Sequence, residues 1–331
     1  MHTEVAPVGG VITAPAPRPR RRGGPLAVLV ALVAVATALL LALHGQVPDV
    51  YGIGSLVESF LPWSGVLLLV LAGVAALRRS WAAVVAVAFA AGVWAWVCWP
   101  LTAPDATGAG DLVVVQHNVS DENTDPLGTA EVLLAAEPDV LTLVEVTPAL
   151  DAAITAEVSD ELPYRAVLGT VGIWSRYPLA DVESVDFRPT GVVAQWQRGI
   201  RAVVDRPDGV DPVVYAIHAP SVRLVPRGGF TSSTRDRALG LLGDVLADDP
   251  RSVVVLGGDL NTTLLDRALA PVLREVTTPA GSFGGTFPAA VPLVRIDHVL
   301  ARGAEVTGVS ALGSTGSDHL PVVADVDLPD G

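Results

Sequence analysis

From Leu26 to Leu43 the chain reads LAVLVALVAVATALLLAL, with no charge. A second apolar run covers Phe60 to Leu77 and closes on Arg78-Arg79. A third covers Trp81 to Leu101, with Trp94, Trp96 and Trp99 at its far end. About 20 apolar residues cross a bilayer as a helix, so the pattern predicts three transmembrane helices within residues 26–101. Tryptophan favours the membrane–water interface, and the cluster in the third run fits that level. Four Arg precede the first run and two separate the second from the third. The intervening loop from His44 to Ser59 carries Asp49 and Glu58 and no Arg. The positive-inside rule then predicts a multi-pass cell-membrane protein with everything after Leu101 outside the cytoplasm. A basic segment followed by one apolar run also describes a cleaved signal peptide. The two further runs and the lack of a convincing cleavage site favour an anchor.

Residues 1–25 are rich in Pro, Gly and Arg without an apolar period and predict a disordered basic tail. Residues 102–110, TAPDATGAG, predict a short linker. Beyond it the period changes. Strands are predicted at 112–117, 140–144, 164–175, 181–187, 199–205, 212–217, 252–256, 293–300, 305–309 and 322–326. Helical patterns cover 127–136 and 234–247. Residues 111–331 therefore form one mixed α/β domain, a size that a single core supports. The segment Ser221 to Arg237, with Arg223, Arg227, Arg235 and Arg237, reads as a surface loop leading into a helix.

Composition changes this picture in one respect. The formal net charge is −14, there is no Lys, and the part beyond Ala103 holds 15 basic and 32 acidic residues. That is a poor footprint for nonspecific nucleic-acid binding. It does not exclude a nuclease, because a bound metal supplies local positive charge. The single Cys98 permits no internal disulfide.

The candidate chemistry sits where apolar strands end. Asn118 closes the first strand and Glu145 follows the second. His218 ends the strand at Val213, and the strand at Val253 runs into Gly257-Gly258-Asp259-Leu260-Asn261. Asp297 lies on the strand predicted from Leu293, and Gly316-Ser317-Asp318-His319 precedes the last strand. Singly these are weak signals: a lone His is more often structural, and Asp259 or Asn261 could form a turn or cap a helix. Together they supply the carboxylate, carboxamide and imidazole groups needed for a hard cation and for acid–base work. Neighbouring residues on a strand face opposite sides, so His117 and His298 are predicted to point away from Asn118 and Asp297.

The ordered set Asn118, Glu145, His218, GGDLN, Arg-Ile-Asp297 and GSDHLPV resembles the endonuclease/exonuclease/phosphatase superfamily over residues 111–328. That superfamily includes DNase I-like nucleases, inositol-polyphosphate 5-phosphatases and bacterial sphingomyelinases. The resemblance implies a four-layered α/β sandwich, two packed sheets flanked by helices. It implies a metal-dependent hydrolase of phosphodiester or phosphomonoester bonds, acting on nucleic acid, a phospholipid headgroup or a soluble ester. By resemblance Glu145, with Asn118 and Asp318, belongs to an Mg²⁺ site that also suits Mn²⁺. Asp259 and Asn261 orient or deprotonate the attacking water. His319 contacts the scissile phosphate with Asp297 behind it, and His218 is the second histidine. Arg198 is a looser candidate for a phosphate contact. Many members carry Gln where this chain has Val144. The rival expectation is a non-catalytic, membrane-anchored binding domain of the same fold; the intact set of polar residues argues against it.

Overall fold

The computed structural model describes residues 24–192, 196–207, 209–225, 229–276 and 282–329. Most of the predicted N-terminal tail, and Arg227, lie outside the described residues.

Helix α1 spans Pro25–Leu43, starting at a Pro in the first turn, where a missing N–H costs nothing. A short helix α2 (Ile53–Ser59) follows, then α3 (Ser64–Leu77) and α4 (Trp81–Val97). Small and branched residues of α1, α3 and α4 interlock: Val30, Ala34 and Ala38 meet Leu71, Ala75, Val87 and Ala90.

The three predicted spans require correction. Among the described residues one helix, Pro25–Gln46, is long and apolar enough to cross a membrane alone. The same test is met by signal sequences. The second run begins at a bend, where segments 50–59 and 61–77 meet at 55° across Phe60, and these two segments pass the test only as a pair. At about 1.5 Å per residue, the 14 residues of α3 cover about 21 Å, short of the roughly 30 Å hydrocarbon core. The third run stops at Val97, because the chain turns through Trp99–Leu101 around Pro100. A count of three spans is therefore not supported, and neither is the orientation that rested on it.

The remainder forms two packed mixed sheets. One contains β1 (Leu112–Asn118), β2 (Val140–Val144), β3 (Tyr164–Leu168), β4 (Val171–Ser175), β12 (Glu305–Ala311) and β13 (Val322–Asp327), in the order β12-β13-β1-β2-β4-β3. The other contains β5 (Leu179–Ser184), β6 (Gly199–Val204), β7 (Val213–His218), β10 (Val254–Asp259) and β11 (Asp297–Arg302), in the order β11-β10-β7-β6-β5. A two-residue pair, β8 (Leu224–Val225) with β9 (Gly229–Phe230), stands apart. Residues predicted as one strand, 164–175, fold back at Gly169, whose φ of +65° suits glycine.

Val114, Val140, Ile173, Ile200, Val214, Val255 and Ala324 fill the space between the sheets. The other face of the first sheet is covered by α5 (Pro126–Leu134) and α6 (Pro148–Val158), through Leu133, Leu150 and Ile154. The other face of the second carries α7 (Ser233–Asp248), through Leu239, Leu242 and Leu246, with the four-residue α8 (Ala270–Leu273) beside it. The layers run helix, sheet, sheet, helix. The sheets approach closely at Gly257, where any Cβ would lie 2.1 Å from Thr142 Oγ1. That contact brings the ends of β10 and β2 together, and with them Asp259 and Glu145.

Residues 102–110, expected as a linker, are fastened to the sheet edge. Asp325 accepts hydrogen bonds from the Thr107 and Gly108 amides (2.6 and 3.0 Å), and the Ala106 amide donates to Ser310 Oγ (3.0 Å).

Candidate active site

β1 and β2 run parallel, as do β7 and β10, so four strands deliver their C-terminal ends to one edge of the sandwich. Asn118 closes β1, Glu145 follows β2, His218 closes β7 and Asp259 closes β10. Asp297 opens the antiparallel β11 directly opposite Asp259. His319 arrives on the loop before β13.

Asn118 ties the two halves together. Its Nδ2 donates to Glu145 Oε1 at 3.1 Å and to Asp259 Oδ2 at 3.0 Å, while its Oδ1 accepts from the Ser120 amide. Asp259 Oδ1 accepts from the Asn261 amide at 2.9 Å, and Asn261 Nδ2 donates to the Ala219 carbonyl. Asp297 Oδ2 lies 2.8 Å from His319 Nδ1, and His319 Nε2 lies 3.9 Å from Asp259 Oδ2. The Phe287 ring packs on the imidazole with centroids 4.9 Å apart. Seven of the eight predicted residues thus meet in one cluster. The eighth, Asp318, is exposed beside it, close enough for its charge to favour protonated His319.

Two of the predicted site residues carry backbone strain. Glu145 and Asn261 have φ of +62° and +51°. Asn tolerates this left-handed region, but Glu gains nothing from it, and such positions cost about 1–3 kcal/mol each.

Electrostatics separate the titrating groups. Burial alone would lower the His319 pKa, but Asp297, through charge and hydrogen bond, and Asp259 raise it to about 9. Asp297 moves the other way: burial pushes it up, but the charge and hydrogen bond of His319, with Thr286 and His117, together hold it down. Asp259 is pushed well above the usual carboxylate range by burial and by repulsion from Asp297. His218 is held well below its ordinary value by burial and by the neighbouring Arg198. Its Nε2 approaches Glu145 at 3.5 Å and Asp259 at 3.8 Å, but these are not ion pairs. Arg198 Nη2 donates to the same nitrogen at 2.8 Å, so Nε2 is the acceptor of a neutral ring.

Arg198 had only a loose anchor in the sequence. It is fixed by donating from Nε to the His218 carbonyl (2.9 Å) and from Nη2 to the Ala219 carbonyl (3.3 Å), with Trp196 under its guanidinium. Ser317 and Thr286 were missed altogether. Ser317 Oγ donates to the Asn118 carbonyl at 2.6 Å and accepts from the His319 amide. Thr286 Oγ1 accepts from the Asp297 amide at 3.4 Å. Ser317 lay inside a motif that was already marked, whereas Thr286 carried no signal. His117 and His298 turn away: His117 Nε2 meets Thr315 Oγ1, and His298 Nε2 donates to the Thr262 carbonyl at 2.8 Å.

A profile of the Endonuclease/Exonuclease/phosphatase family matches residues 115–319, which include every one of these groups. The chain belongs to this family. Members are hydrolases acting on phosphoesters. No curated protein matches the chain. Among solved structures, the endonuclease/exonuclease/phosphatase of Beutenbergia cavernae is 22% identical with a TM-score of 0.52, over 66% of this chain and 72% of that one. Sphingomyelinase C from Streptomyces griseocarneus is 20% identical with a TM-score of 0.50, over 64% and 98%. A beta toxin of Staphylococcus aureus, solved with bound magnesium ions, is 16% identical with a TM-score of 0.50, over 65% and 99%. At these identities the likeness is one of fold.

The residues fit a hard divalent cation. Glu145, Asp259 and Asp297 converge, with Arg198 and protonated His319 as the positive groups among them. One oxygen of buried Asp297 has no partner. Asp259, Asp297 and His319 offer ligand atoms within 4.8 Å of one another. Nδ1 of His319 is already committed to Asp297, and a protonated imidazole is not a ligand. Glu145, partly exposed and on the Asn118 side, is the better metal-facing group.

Proposed function

We propose that this family member is a divalent-metal-dependent phosphoesterase that cleaves phosphodiester or phosphomonoester bonds beside a membrane. The observation that carries this reading is the charged pair Asp297–His319 facing Asp259 across the end of β10. Protonated His319 keeps Nε2–H for a nonbridging phosphate oxygen, and Asp297 holds the ring in that tautomer. Asp259, raised by burial, accepts the proton of the attacking water, and Asn261 fixes the orientation of that carboxylate through its amide. Arg198 supplies a second donor to phosphate. Glu145 with Asn118, and Asp318 at the rim, would hold Mg²⁺ or Mn²⁺, which when bound neutralises phosphate oxygens and leaving-group charge.

The membrane part of the reading is supported by the outward faces of the helices. Leu32, Leu69, Phe89, Trp81, Trp96 and Trp99 are all more than half exposed, and an apolar surface of this kind seeks a bilayer. The start of α1 lies against the end of α3, where a Cβ at Gly24 would come 2.9 Å from Arg78 Nη2.

The test uses the full chain in detergent against a panel of sphingomyelin, phosphatidylinositol phosphates, DNA and a chromogenic phosphodiester, with Mg²⁺, Mn²⁺ or chelator. Turnover of one class that chelator abolishes is expected. No metal-dependent turnover of any ester would sink the reading.

A further inference from the structure

The segment between the first two apolar helices was expected to be a plain external loop carrying Asp49 and Glu58. Instead α2 docks on the catalytic domain. Ser55, 2% exposed, lies between two buried charged groups. Its Oγ donates to Asp266 Oδ2 at 2.5 Å and accepts from Arg235 Nη2 at 3.0 Å. Arg235, expected on the surface, is 1% exposed. It also bridges to Asp266 at 3.0 Å and donates from Nη1 to the carbonyl of Asn261 at 2.9 Å. One turn further along α2, Glu58 is fully buried. It accepts from the Arg267 amide (2.9 Å) and guanidinium (2.8 Å). The fit is close: any Cβ at Gly52 would lie 2.0 Å from the Phe230 carbonyl oxygen.

These contacts fall on both ends of one loop, residues 259–267. That loop carries Asn261 in its left-handed conformation, which persists only where the surroundings over-determine it. Removing α2 would take the acceptor from the Arg267 amide and the Ser55 hydroxyl from between Arg235 and Asp266, leaving Arg235 held by Asp236, Asp266 and the Asn261 carbonyl.

We propose that α2 is a brace for the loop 259–267, and that Ser55 and Glu58 are positioning residues that act on Asn261 through Arg235 and Arg267. The effect on turnover rests on the function proposed above, but the brace itself does not. In Ser55→Ala and Glu58→Gln, kcat falls about tenfold while KM stays within about twofold, because loosened geometry at the water costs turnover before binding. Amide hydrogen exchange on the full chain in nanodiscs reads the brace without substrate. Exchange at residues 260–267 is expected to quicken about ten- to a hundredfold, as follows from losing one buried polar contact, while β1 and β2 stay protected. Leu56→Ala, on the exposed side of α2, is expected to change neither reading. Unchanged exchange at 260–267 in both variants would overturn the proposal. So would a uniform acceleration that includes β1 and β2, since it would make α2 a general stabiliser. If the wild type hydrolyses nothing in the panel, the functional reading fails and the exchange result still decides the brace.

Discussion

Nδ1 of His319 and Oδ2 of Asp297 lie 2.8 Å apart, although 22 residues separate them in the chain. The pair joins β11 of one sheet to the loop entering β13 of the other. On the function proposed above, its chemistry would set the basic limit of activity. With the His319 pKa raised to about 9, activity should hold to that pH and fall above it. Asp297→Asn keeps a hydrogen-bonding group but removes the charge, so the basic limb should move down. His319→Ala should lose about 10²–10³ in kcat, the usual worth of a well-placed donor. The double variant should be little worse than His319→Ala alone; additive losses in pH–rate profiles would refute the pairing.

The same shift is a statement about stability. Folded His319 binds its proton more tightly than unfolded His319, whose pKa is near 6.5. The contribution of the pair is therefore complete below about 6.5 and is lost as pH rises through about 9. Melting temperature should decline over that window in the wild type. The decline should be much reduced in Asp297→Asn, and an identical pH dependence would count against the assignment.

Glu145 offers a test in which stability and activity move in opposite directions. Glu145→Gln keeps shape and should lose most metal-dependent turnover and Mn²⁺ affinity with little change in melting. Glu145→Asn places a residue that accepts φ of +62°. It should raise stability by up to about 1 kcal/mol while abolishing turnover. Full activity of Glu145→Gln at low Mg²⁺ would remove Glu145 from the metal site.

Arg198 holds two carbonyls and one imidazole nitrogen, a pattern that depends on its planar fork. Arg198→Lys keeps the charge and loses the fork, so turnover should fall by at least tenfold, at about 1.5–3 kcal/mol per charged hydrogen bond. Steady-state kinetics at saturating metal give the answer, and an active Lys variant would reduce Arg198 to a source of charge.

Much of the site was legible because its residues stand at strand ends, where an apolar run stops and a polar group follows. Glu145 after VLTLV and Asp259 after VVLGG are of this kind. The strand predicted from Leu293 begins only at Asp297, because Val294 pairs with Phe287 instead. Helix α6 was missed, although Thr147 caps it by accepting from the Leu150 amide and Pro148 opens it. Its apolar residues Leu150, Ile154 and Val158 are diluted by Ala, Thr and Asp. The tertiary partners were beyond reach of any local pattern: nothing in the sequence near Ser55 points to Asp266, 211 residues away. The apolar runs misled for a related reason, since hydropathy records composition and not where a helix bends, as at Phe60, or stops, as before Pro100.

The strap formed by residues 106–108 has a kinetic meaning. Together with the docked α2 it gives the catalytic domain two points of attachment to the helices, so on the membrane reading proposed above the domain would stand on its support and not swing from it. A head on a slack tether sweeps a hemisphere and meets dissolved molecules and surface molecules alike. A head held at two points keeps one stance, and its mouth samples a thin layer at constant height. On that reading encounter would become a lateral search in two dimensions, governed by how many target groups occupy that layer and how quickly they drift past.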